Sequence, residues 1–331
     1  AMGDVAMTVP VIRALVKQYP TIKITLLSKP FLRPLFSDID NVTFYAAEVK
    51  GRHKGFLGLF RLFRELKSKN ITEVADLHNV LRSNILRSLF LSTGTTVSCI
   101  NKGRAQKRAL TRIKNKIFKQ LKTTHQRYAD VFDKLGFDFD ISNPEFPSPV
   151  PLEKEILTIT GEKTCKWVGI APFAQYKSKM YPLDLMEQVI ESLSKLDHIK
   201  IILFGGGKNE IEILDRIAVS FSNTVNAAGQ FELSQELDLI GNLDCMLSMD
   251  SGNAHFAAMK GVNTITIWGA THPFTGFAPF NQLYENAILP NLEKFPNIPC
   301  SIYGNKVYEG YEDIMKTISP ETIVKKIMAS L

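Results

Sequence analysis

The sequence predicts an α/β protein built from two doubly wound halves, each with a parallel sheet covered by helices on both faces. Short apolar segments typical of buried strands alternate with amphipathic helical patterns along the chain. The 331 residues are long enough for about two domains. A stretch with four prolines, between Asp138 and Glu155, interrupts the alternation and indicates a linker between the halves.

The half before the linker contains four predicted strands, because each of these segments is a short apolar run bounded by polar or turn residues. They are Ile22–Ser28, Val42–Ala46, Glu73–Leu77 and Thr95–Ile100. Apolar residues at helical spacing predict helices between them. These are Phe56–Lys69, Leu81–Leu91, a basic helix within Lys102–Lys122, and Thr123–Gly136, which Gly136 closes.

The half after the linker repeats the same alternation. Its predicted strands are Trp167–Ala171, Lys200–Phe204, Thr224–Ala227, Asp244–Met249 and Asn263–Trp268. Its predicted helices are Leu183–Leu196, Asn209–Ser220, Leu233–Asn242 and Ala254–Met259. A final helix begins at Pro320, with Ser319 as its N-cap. We therefore expect domains at 1–150 and 151–331, with the last helix packing back on the first domain.

The positive charge of the chain is concentrated in one segment. No acid lies between Cys99 and Lys122, a stretch with nine cations, although the whole chain carries only +7. The rest of the chain is therefore at 7 − 9 = −2. Such a segment suits an anionic partner, and a solvated helix face explains it equally well. Nucleic acid is disfavoured, because Phe118 is the only aromatic residue available for base stacking in the segment.

Several classes of protein are excluded or disfavoured. No apolar run reaches the ~18 residues of a membrane span, and no secretory signal is recognised. The four cysteines are far apart and the six histidines are scattered, so no metal site or disulfide framework is predicted and a cytoplasmic location is expected. The D-x-D pairs at Asp38 and Asp138 are interpreted as solvated acids. No P-loop, hydrolase elbow or dinucleotide fingerprint occurs.

Two loops that follow predicted strands of the second half could bind a diphosphate. Asp250, Ser251 and Gly252 open a helix whose N–H groups and dipole favour anions, with His255 one turn further on. Lys179 follows the strand Trp167–Ala171 and could neutralise phosphate. Ordinary helix capping, a satisfied histidine and an exposed lysine are the alternatives. Near the start of the chain, Asp4 precedes an apolar helix, where a carboxylate could be a helix cap or a catalytic base.

Together these segments resemble glycosyltransferase family 9, the ADP-heptose:lipopolysaccharide heptosyltransferases. Each motif is moderately specific, and their joint order and spacing over nearly the whole chain carry the resemblance. The matching segments are Gly3-Asp4-Val5, Asp76-Leu77-His78, Lys179-Met180-Tyr181-Pro182 with Tyr in place of Trp, Asp250–His255 and Gly269–Pro273.

The resemblance implies a GT-B architecture, in which two Rossmann-like domains face a cleft. It implies an inverting, metal-independent glycosyltransferase that needs no cofactor and moves heptose from ADP-heptose to the lipopolysaccharide inner core or a related envelope glycolipid. By analogy Asp4 is the general base. Lys179, Ser251 and Gly252 hold the diphosphate, Asp250 holds sugar hydroxyls, and His255 supports the phosphate side.

The remaining candidate residues follow from the same resemblance. Gly205, Gly206 and Glu210 are candidate nucleotide contacts, because they follow another strand of the second half. The acceptor of the family is an anionic membrane glycolipid, so peripheral contact with the inner face of the inner membrane is expected. Candidate acceptor residues are His78, Arg82, Lys107, Arg108 and Arg112.

Departures from the family keep alternatives open. In the family a first strand is followed by a loop, and Gly3-Asp4 would lie in that loop. This sequence starts inside the loop. We therefore expect a first sheet that lacks its first strand. A non-catalytic protein that binds sugar nucleotides or lipopolysaccharide therefore remains an alternative, as does a family member that uses another sugar nucleotide. A Rossmann oxidoreductase is disfavoured, since no dinucleotide fingerprint occurs.

Overall fold

A computed structural model describes residues 2–331 and divides them into two compact units. The smaller unit comprises residues 8–103 and 122–145, and the larger unit comprises 2–7, 104–121 and 146–331. The main boundary lies close to the predicted linker. The predicted division at 150/151 differs in two segments, because residues 2–7 and the cationic residues 104–121 belong to the larger unit.

Up to residue 145 the helices and strands alternate largely as predicted. In chain order they are α1 (Met2–Ala6), α2 (Thr8–Gln18), β1 (Ile24–Ser28), β2 (Val42–Ala46), α3 (Gly55–Lys67), β3 (Glu73–Asp76), α4 (Leu81–Leu91), β4 (Thr96–Cys99), α5 (Arg104–Thr111) and α6 (Thr124–Asp133). Gly3 and Asp4 lie within α1, and not in a loop as expected.

After residue 146 a similar alternation continues. The elements are α7 (Lys154–Thr160), β5 (Lys166–Ala171), α8 (Leu183–Ser194), β6 (Ile199–Leu203), α9 (Lys208–Ala218), β7 (Thr224–Asn226), α10 (Leu233–Gly241), β8 (Cys245–Met249), α11 (Gly252–Met259), β9 (Asn263–Ile267), β10 (Ala287–Ile288) and α12 (Pro320–Met328). The sequence analysis missed α7 and β10, which are short.

The larger unit is organised around a six-stranded parallel sheet in the order β10-β9-β8-β5-β6-β7. Every residue of β8 is buried, because the strand pairs with β5 and β9 and is covered on both faces. The doubly wound prediction for this half is confirmed. Ligands in such sheets bind beyond the carboxyl ends of the strands, which is the edge that carries the loops after β5, β8 and β9.

The final helix, α12, packs on α8 in the larger unit, and the expectation that it packs on the first domain is wrong. Ile323 and Ile327 stand one turn apart and are fully buried in the core under α8. The predicted cap is confirmed, since Ser319 Oγ accepts a hydrogen bond of 3.2 Å from the N–H of Thr322. An apolar face that fits the core beneath α8 therefore determines where the helix docks.

The smaller unit contains two separate parallel pairs, β1-β2 and β3-β4, which do not join into one sheet among residues 2–331. Helices α3 and α4 pack against each other and link the two pairs through a shared core. The rings of Phe63 and Phe90 are 5.0 Å apart in this core. No helix among the described residues is long and apolar enough to cross a membrane.

The predicted basic helix is shorter than expected. Only α5 is helical, and the chain from Arg112 to Thr123 is irregular. Within this stretch the ammonium of Lys116 donates to the carbonyls of Asn297 at 2.8 Å and Pro299 at 3.1 Å. Residues 104–121, here called the basic strap, are thus fastened to the larger unit by contacts that replace helical hydrogen bonds.

Candidate active site

Three side chains of the larger unit meet beyond the carboxyl ends of its central strands. Asp250 follows β8 directly, Thr271 lies in the loop after β9, and Lys179 ends a short turn after β5. Oδ2 of Asp250 accepts hydrogen bonds from Lys179 Nζ and from Thr271 Oγ1, each at 2.8 Å. The sequence analysis placed Lys179 and Asp250 at one site, and the structure brings them into direct contact.

This ion pair is largely removed from water. The side chain of Asp250 is 8% exposed and that of Lys179 is 14% exposed. A charge buried to this degree is tolerated only when a partner compensates it, so each residue fixes the position of the other. The backbone before Lys179 is also held, because the carbonyl of Ser178 accepts from the N–H of Ala270 at 2.9 Å.

The stem of Lys179 packs against Gly304, which was not predicted as part of the site. A Cβ on Gly304 would lie 2.4 Å from Cδ of Lys179, and the residue has a φ of +82°. The side chain of Ser178 donates to the carbonyl of Gly304, which ties the two loops together. Only glycine satisfies both the backbone angle and the space beside the lysine.

The N-terminus of α11 lies directly after Asp250. Ser251 occupies the N-cap position, but its side chain makes no capping bond, and its Oγ lies 3.2 Å from Oγ of Ser248 instead. The interpretation that Asp250 or Ser251 caps the helix is therefore not supported, since the carboxylate of Asp250 is bonded to Lys179 and Thr271. A helix start that lacks a side-chain cap can bind an anion at its N–H groups.

His255 lies one turn into α11, against the first helix of the chain. A Cβ on Gly3 would come within 3.0 Å of Cδ2 of His255, so α1 and α11 are in close contact. Burial, together with the charge of Lys179, lowers the pKa of His255 to about 4, although Asp250 and Asp4 act in the opposite direction. The imidazole is therefore neutral at pH 7, and its buried Nδ1 has no hydrogen-bond partner.

Asp4 belongs to the same site by position. It follows Gly3 in α1, and its charge acts on both His255 and Tyr303 of the larger unit. Asp4 lies in the segment 2–7, and this segment belongs to the larger unit. The structure thus gathers Asp4, Lys179, Asp250 and His255, which the sequence placed up to about 250 residues apart.

The glycine loop after β6 is held together by one of its own predicted site residues. Oε2 of Glu210 accepts a hydrogen bond of 2.8 Å from the N–H of Gly206. A Cβ on Gly205 would lie 3.0 Å from Leu214 and 3.3 Å from the same carboxylate oxygen. Gly205 and Gly206 thus form a tight turn, and Glu210 stabilises it.

The predicted acceptor residues are divided between the two units. His78 and Arg82 are exposed in the smaller unit, after β3 and at the start of α4. Asp76 organises this loop, because its carboxylate accepts from the N–H groups of His78 at 3.0 Å and Asn79 at 2.8 Å and pairs with Arg87 at 3.1 Å. Asp76 is thus a structural residue of the loop that presents His78.

Lys107, Arg108 and Arg112 lie in the basic strap and hence in the larger unit, which corrects their placement in the first half. A solvated cationic helix face predicts that the side chain of Lys107 is exposed, and the structure differs. Lys107 is buried, and its ammonium lies 4.3 Å from the ring centre of Phe277 and 5.8 Å from that of Tyr303. This cation–π arrangement anchors the strap. Arg108 and Arg112 are exposed.

Other residues near the strap and the sheet were not anticipated. His272 is fully buried beside Phe118, and burial lowers its pKa to about 4, with a contribution from the charge of Lys116. Burial raises the pKa of Glu236, in the first turn of α10, to about 7. His272 lies in the matching segment Gly269–Pro273, but its burial and that of Glu236 could not be predicted, since burial depends on packing between segments distant in sequence. Among residues 2–331 no group of three His, Cys, Asp or Glu side chains is arranged to hold a metal.

If Lys179 binds the diphosphate of a nucleotide, Gly304→Ala should weaken ADP binding about tenfold, because the new methyl group displaces the stem of Lys179. Gly310→Ala is the matched control, since Gly310 has a φ of +80° but open space around its Cβ position. Both variants should lose about 1–2 kcal/mol of unfolding free energy through backbone strain. Equal ADP affinities in the two variants, measured by calorimetry, would show that Gly304 does not support a ligand-binding lysine.

A lysine and an uncapped helix start at the carboxyl edge of a parallel sheet define a Rossmann-like unit suited to a nucleotide diphosphate. The comparison with protein families identifies the kind of protein. The model of glycosyltransferase family 9 (heptosyltransferase) matches residues 59–301, and the chain belongs to this family. It is therefore an enzyme, a glycosyltransferase, and the alternatives of a non-catalytic binding protein and an oxidoreductase are not supported.

Characterised relatives agree with this assignment. The chain is 24% identical over 296 residues to the lipopolysaccharide core heptosyltransferase OpsX of Haemophilus influenzae, covering 86% of this chain and 80% of the relative. It is 23% identical over 357 aligned positions to the lipooligosaccharide heptosyltransferase 2 of Haemophilus ducreyi, covering 98% of this chain and 95% of that protein.

Solved structures confirm the fold class. A family 9 glycosyltransferase from Veillonella parvula superposes with a TM-score of 0.74 at 20% identity and covers 100% of this chain and 94% of that one. The heptosyltransferase WaaC of E. coli, solved with ADP, gives a TM-score of 0.70 at 17% identity and covers 100% and 97%. The predicted GT-B class, with Rossmann-like parallel sheets, is therefore confirmed.

Proposed function

We propose that this enzyme transfers heptose from ADP-heptose to a hydroxyl of the lipopolysaccharide inner core or a related envelope glycolipid, with inversion and without a metal ion. The observation that carries the proposal is the contact of Lys179 with Asp250 beside the uncapped start of α11, with Asp4 in the helix packed against His255. The names of the relatives supply the sugar and the acceptor class.

The donor diphosphate needs positive charge as the leaving group departs. Lys179 supplies a full charge, and the first N–H groups of α11, at Gly252 and beyond, supply oriented dipoles. This is the role that a divalent cation performs in other transferases. His255, being neutral, contributes hydrogen bonding on the phosphate side. The glycine turn at Gly205 and Gly206, with Glu210, contacts the nucleoside.

Asp250 serves the sugar. Its Oδ2 is committed to Lys179 and Thr271, which leaves the lone pairs of Oδ1 for hydroxyl groups of the heptose. The same carboxylate holds the lysine ammonium in place. One ion pair thereby positions both the donor sugar and the diphosphate, which holds the anomeric carbon and the leaving group in the geometry that the reaction needs.

Asp4 acts as the general base. The acceptor oxygen attacks the anomeric carbon on the face opposite the diphosphate, the bond from that carbon to the phosphate oxygen breaks, and ADP departs with the electron pair. The acceptor proton passes to the carboxylate of Asp4. A single displacement of this kind inverts the anomeric configuration.

Each unit by itself carries exposed positive charge that suits an anionic acceptor. His78 and Arg82 are exposed in the smaller unit, and Arg108 and Arg112 are exposed in the basic strap. Phosphates and acidic sugars of an envelope glycolipid suit these cations. Because such an acceptor is held in a membrane, peripheral contact of the enzyme with the inner membrane is part of the proposal.

The direct test is transfer to lipopolysaccharide that lacks inner-core heptose, with ADP-heptose and UDP-glucose compared as donors. We expect ADP-heptose, and not UDP-glucose, to give the product and a stoichiometric amount of ADP. The reaction should proceed in the presence of EDTA. The anomeric configuration of the transferred heptose, determined by NMR, should be opposite to that of the donor. Faster transfer from another nucleotide sugar contradicts the donor assignment. Retention contradicts the single displacement, and loss of activity in EDTA that Mg²⁺ restores contradicts the metal-independent mechanism.

The exposed cations of the strap give a further prediction. Replacing Arg108, Arg112 and Lys114 with Gln should raise the KM for the acceptor roughly a hundredfold and reduce its dependence on salt, because each of the three charges near an anionic surface contributes about 1 kcal/mol. Lys195→Gln with Lys208→Gln, at exposed positions elsewhere in the larger unit, is the control. A change in donor affinity with an unchanged acceptor KM would place the strap on the donor side instead.

A further inference from the structure

The first turns of α3 are apolar on the side that faces away from the core. Phe56, Leu57 and Phe60 are 63%, 83% and 42% exposed. Their spacing places them on one face of the helix. The opposite face already fills the core of the smaller unit through Leu59, Leu62, Phe63 and Leu66. The three exposed side chains are therefore not needed for the core, and a cluster of this kind marks an interaction surface.

Cations continue this face. Arg61 and Arg64 are exposed one turn beyond the apolar residues and line a shallow groove with Leu57, Phe60 and Glu65. From residue 48 to 67 the chain has six Lys and Arg against two acids, a balance of 6 − 2 = +4. Both acids are engaged by Arg52, which pairs with Glu48 at 3.0 Å and with Glu65 at 3.7 Å. The exposed charge is thus positive.

The face stands on a rigid base. Nδ1 of His53 accepts from the N–H of Glu48 at 3.1 Å, and Nε2 bonds to Oε2 of Glu65 at 3.0 Å. Tyr45 donates to the same carboxylate oxygen. A Cβ on Gly58 would lie 2.3 Å from the backbone carbon of His53, so the loop before α3 is pressed against the helix. The apolar side chains therefore project from a fixed helix rather than from a frayed end.

We propose that Phe56, Leu57, Phe60, Arg61 and Arg64, here called the α3 face, dock on the surface of an anionic lipid bilayer. The apolar side chains enter the region between head groups and acyl chains, and the two arginines bind lipid phosphates. A second copy of the chain fits this surface poorly, since a symmetric contact would bring the positive rows together. This inference rests on the proposed function in one respect, which is that an acceptor held in the membrane explains why the enzyme would bind there.

The test is cosedimentation with vesicles of phosphatidylglycerol and phosphatidylethanolamine, without donor or acceptor, and with phosphatidylcholine vesicles for comparison. The wild type should bind the anionic vesicles preferentially. F56S/L57S/F60S should reduce the partition coefficient by roughly tenfold or more, and R61Q/R64Q should flatten its salt dependence. The control is L91S/V219S, which removes two apolar residues that are 62% and 85% exposed elsewhere.

The outcomes are distinguishable. If the triple variant has a lower melting temperature than the wild type, the single variant L57S provides the test of vesicle binding, because that side chain is 83% exposed and contributes little to the core. Unchanged binding by L57S and the triple variant overturns the proposal. So does a wild-type dimer that becomes monomeric in the triple variant, which would assign the face to self-association. Should heptose transfer fail while vesicle binding follows the expected pattern, the proposed function is wrong and the docking surface stands.

Discussion

Asp4→Asn should reduce heptose transfer by ~10²–10⁴-fold and leave the affinity for ADP near that of the wild type. Asparagine has nearly the shape of aspartate but does not accept the acceptor proton at neutral pH. The carboxylate lies in α1, which packs on α11 at the site of the proposed diphosphate. The measurement is the initial rate with saturating donor and acceptor, together with ADP binding by calorimetry.

A matched control is Asp40→Asn, which changes an exposed carboxylate of the smaller unit. It should transfer heptose at the wild-type rate, which would support the interpretation of Asp40 as a solvated acid. The same interpretation is wrong for Asp38, which pairs with Arg13 at 2.9 Å. Should Asp4→Asn retain more than a tenth of wild-type turnover, another group takes the proton. Should it instead lose ADP affinity, Asp4 organises the start of α11 and is not the base.

Lys179→Gln should have the second largest effect, because it removes one partner of a buried ion pair. Asp250 then keeps its hydrogen bond from Thr271 but loses its counter-charge. We expect a loss of about 3 kcal/mol of unfolding free energy, at the low end for a buried pair because the Lys179 side chain is 14% exposed. ADP affinity should fall more than tenfold, since the diphosphate loses its full positive charge. Thermal unfolding and calorimetry with ADP measure the two effects separately.

Lys177→Gln provides the control, since Lys177 lies two residues away in the same short turn and is exposed. It should unfold and bind ADP as the wild type does. Thr271→Val separates the roles further, because it removes a hydrogen bond to Asp250 without removing charge and should lower stability with a smaller loss of ADP affinity. Tight ADP binding by Lys179→Gln would contradict the diphosphate assignment.

The alternation of strands and helices was largely predictable, because the periods of apolar residues in strands and helices are local signals. Leu81–Leu91 is a helix with the predicted bounds, and β5 and β8 differ from prediction by one residue each. The basic strap was mispredicted for a physical reason. Its residues have helical composition, yet Lys116 and Phe118 find partners on loops far along the chain, and tertiary contacts outweigh helical propensity.

The candidate site could be predicted in part. Loops after parallel strands meet at one edge, so Lys179 and Asp250 were expected near each other. Their direct ion pair, the bond from Thr271 and the close approach of Gly304 depend on side-chain packing that no local pattern encodes. Lys107 shows the converse case, in which a charge expected on a solvated face is buried over an aromatic ring.

The path of the chain through the two units has a consequence for biosynthesis. The polypeptide passes from one unit to the other between residues 7 and 8, 103 and 104, 121 and 122, and 145 and 146. As the chain leaves the ribosome from its N-terminal end, the smaller unit is fully synthesised by residue 145. Asp4 and the basic strap can pack on the larger unit only after β5 to β9 have been translated. The residue proposed to remove the acceptor proton is therefore synthesised before the sheet that supports Lys179 and Asp250, and it can pack against α11 only after that helix has formed.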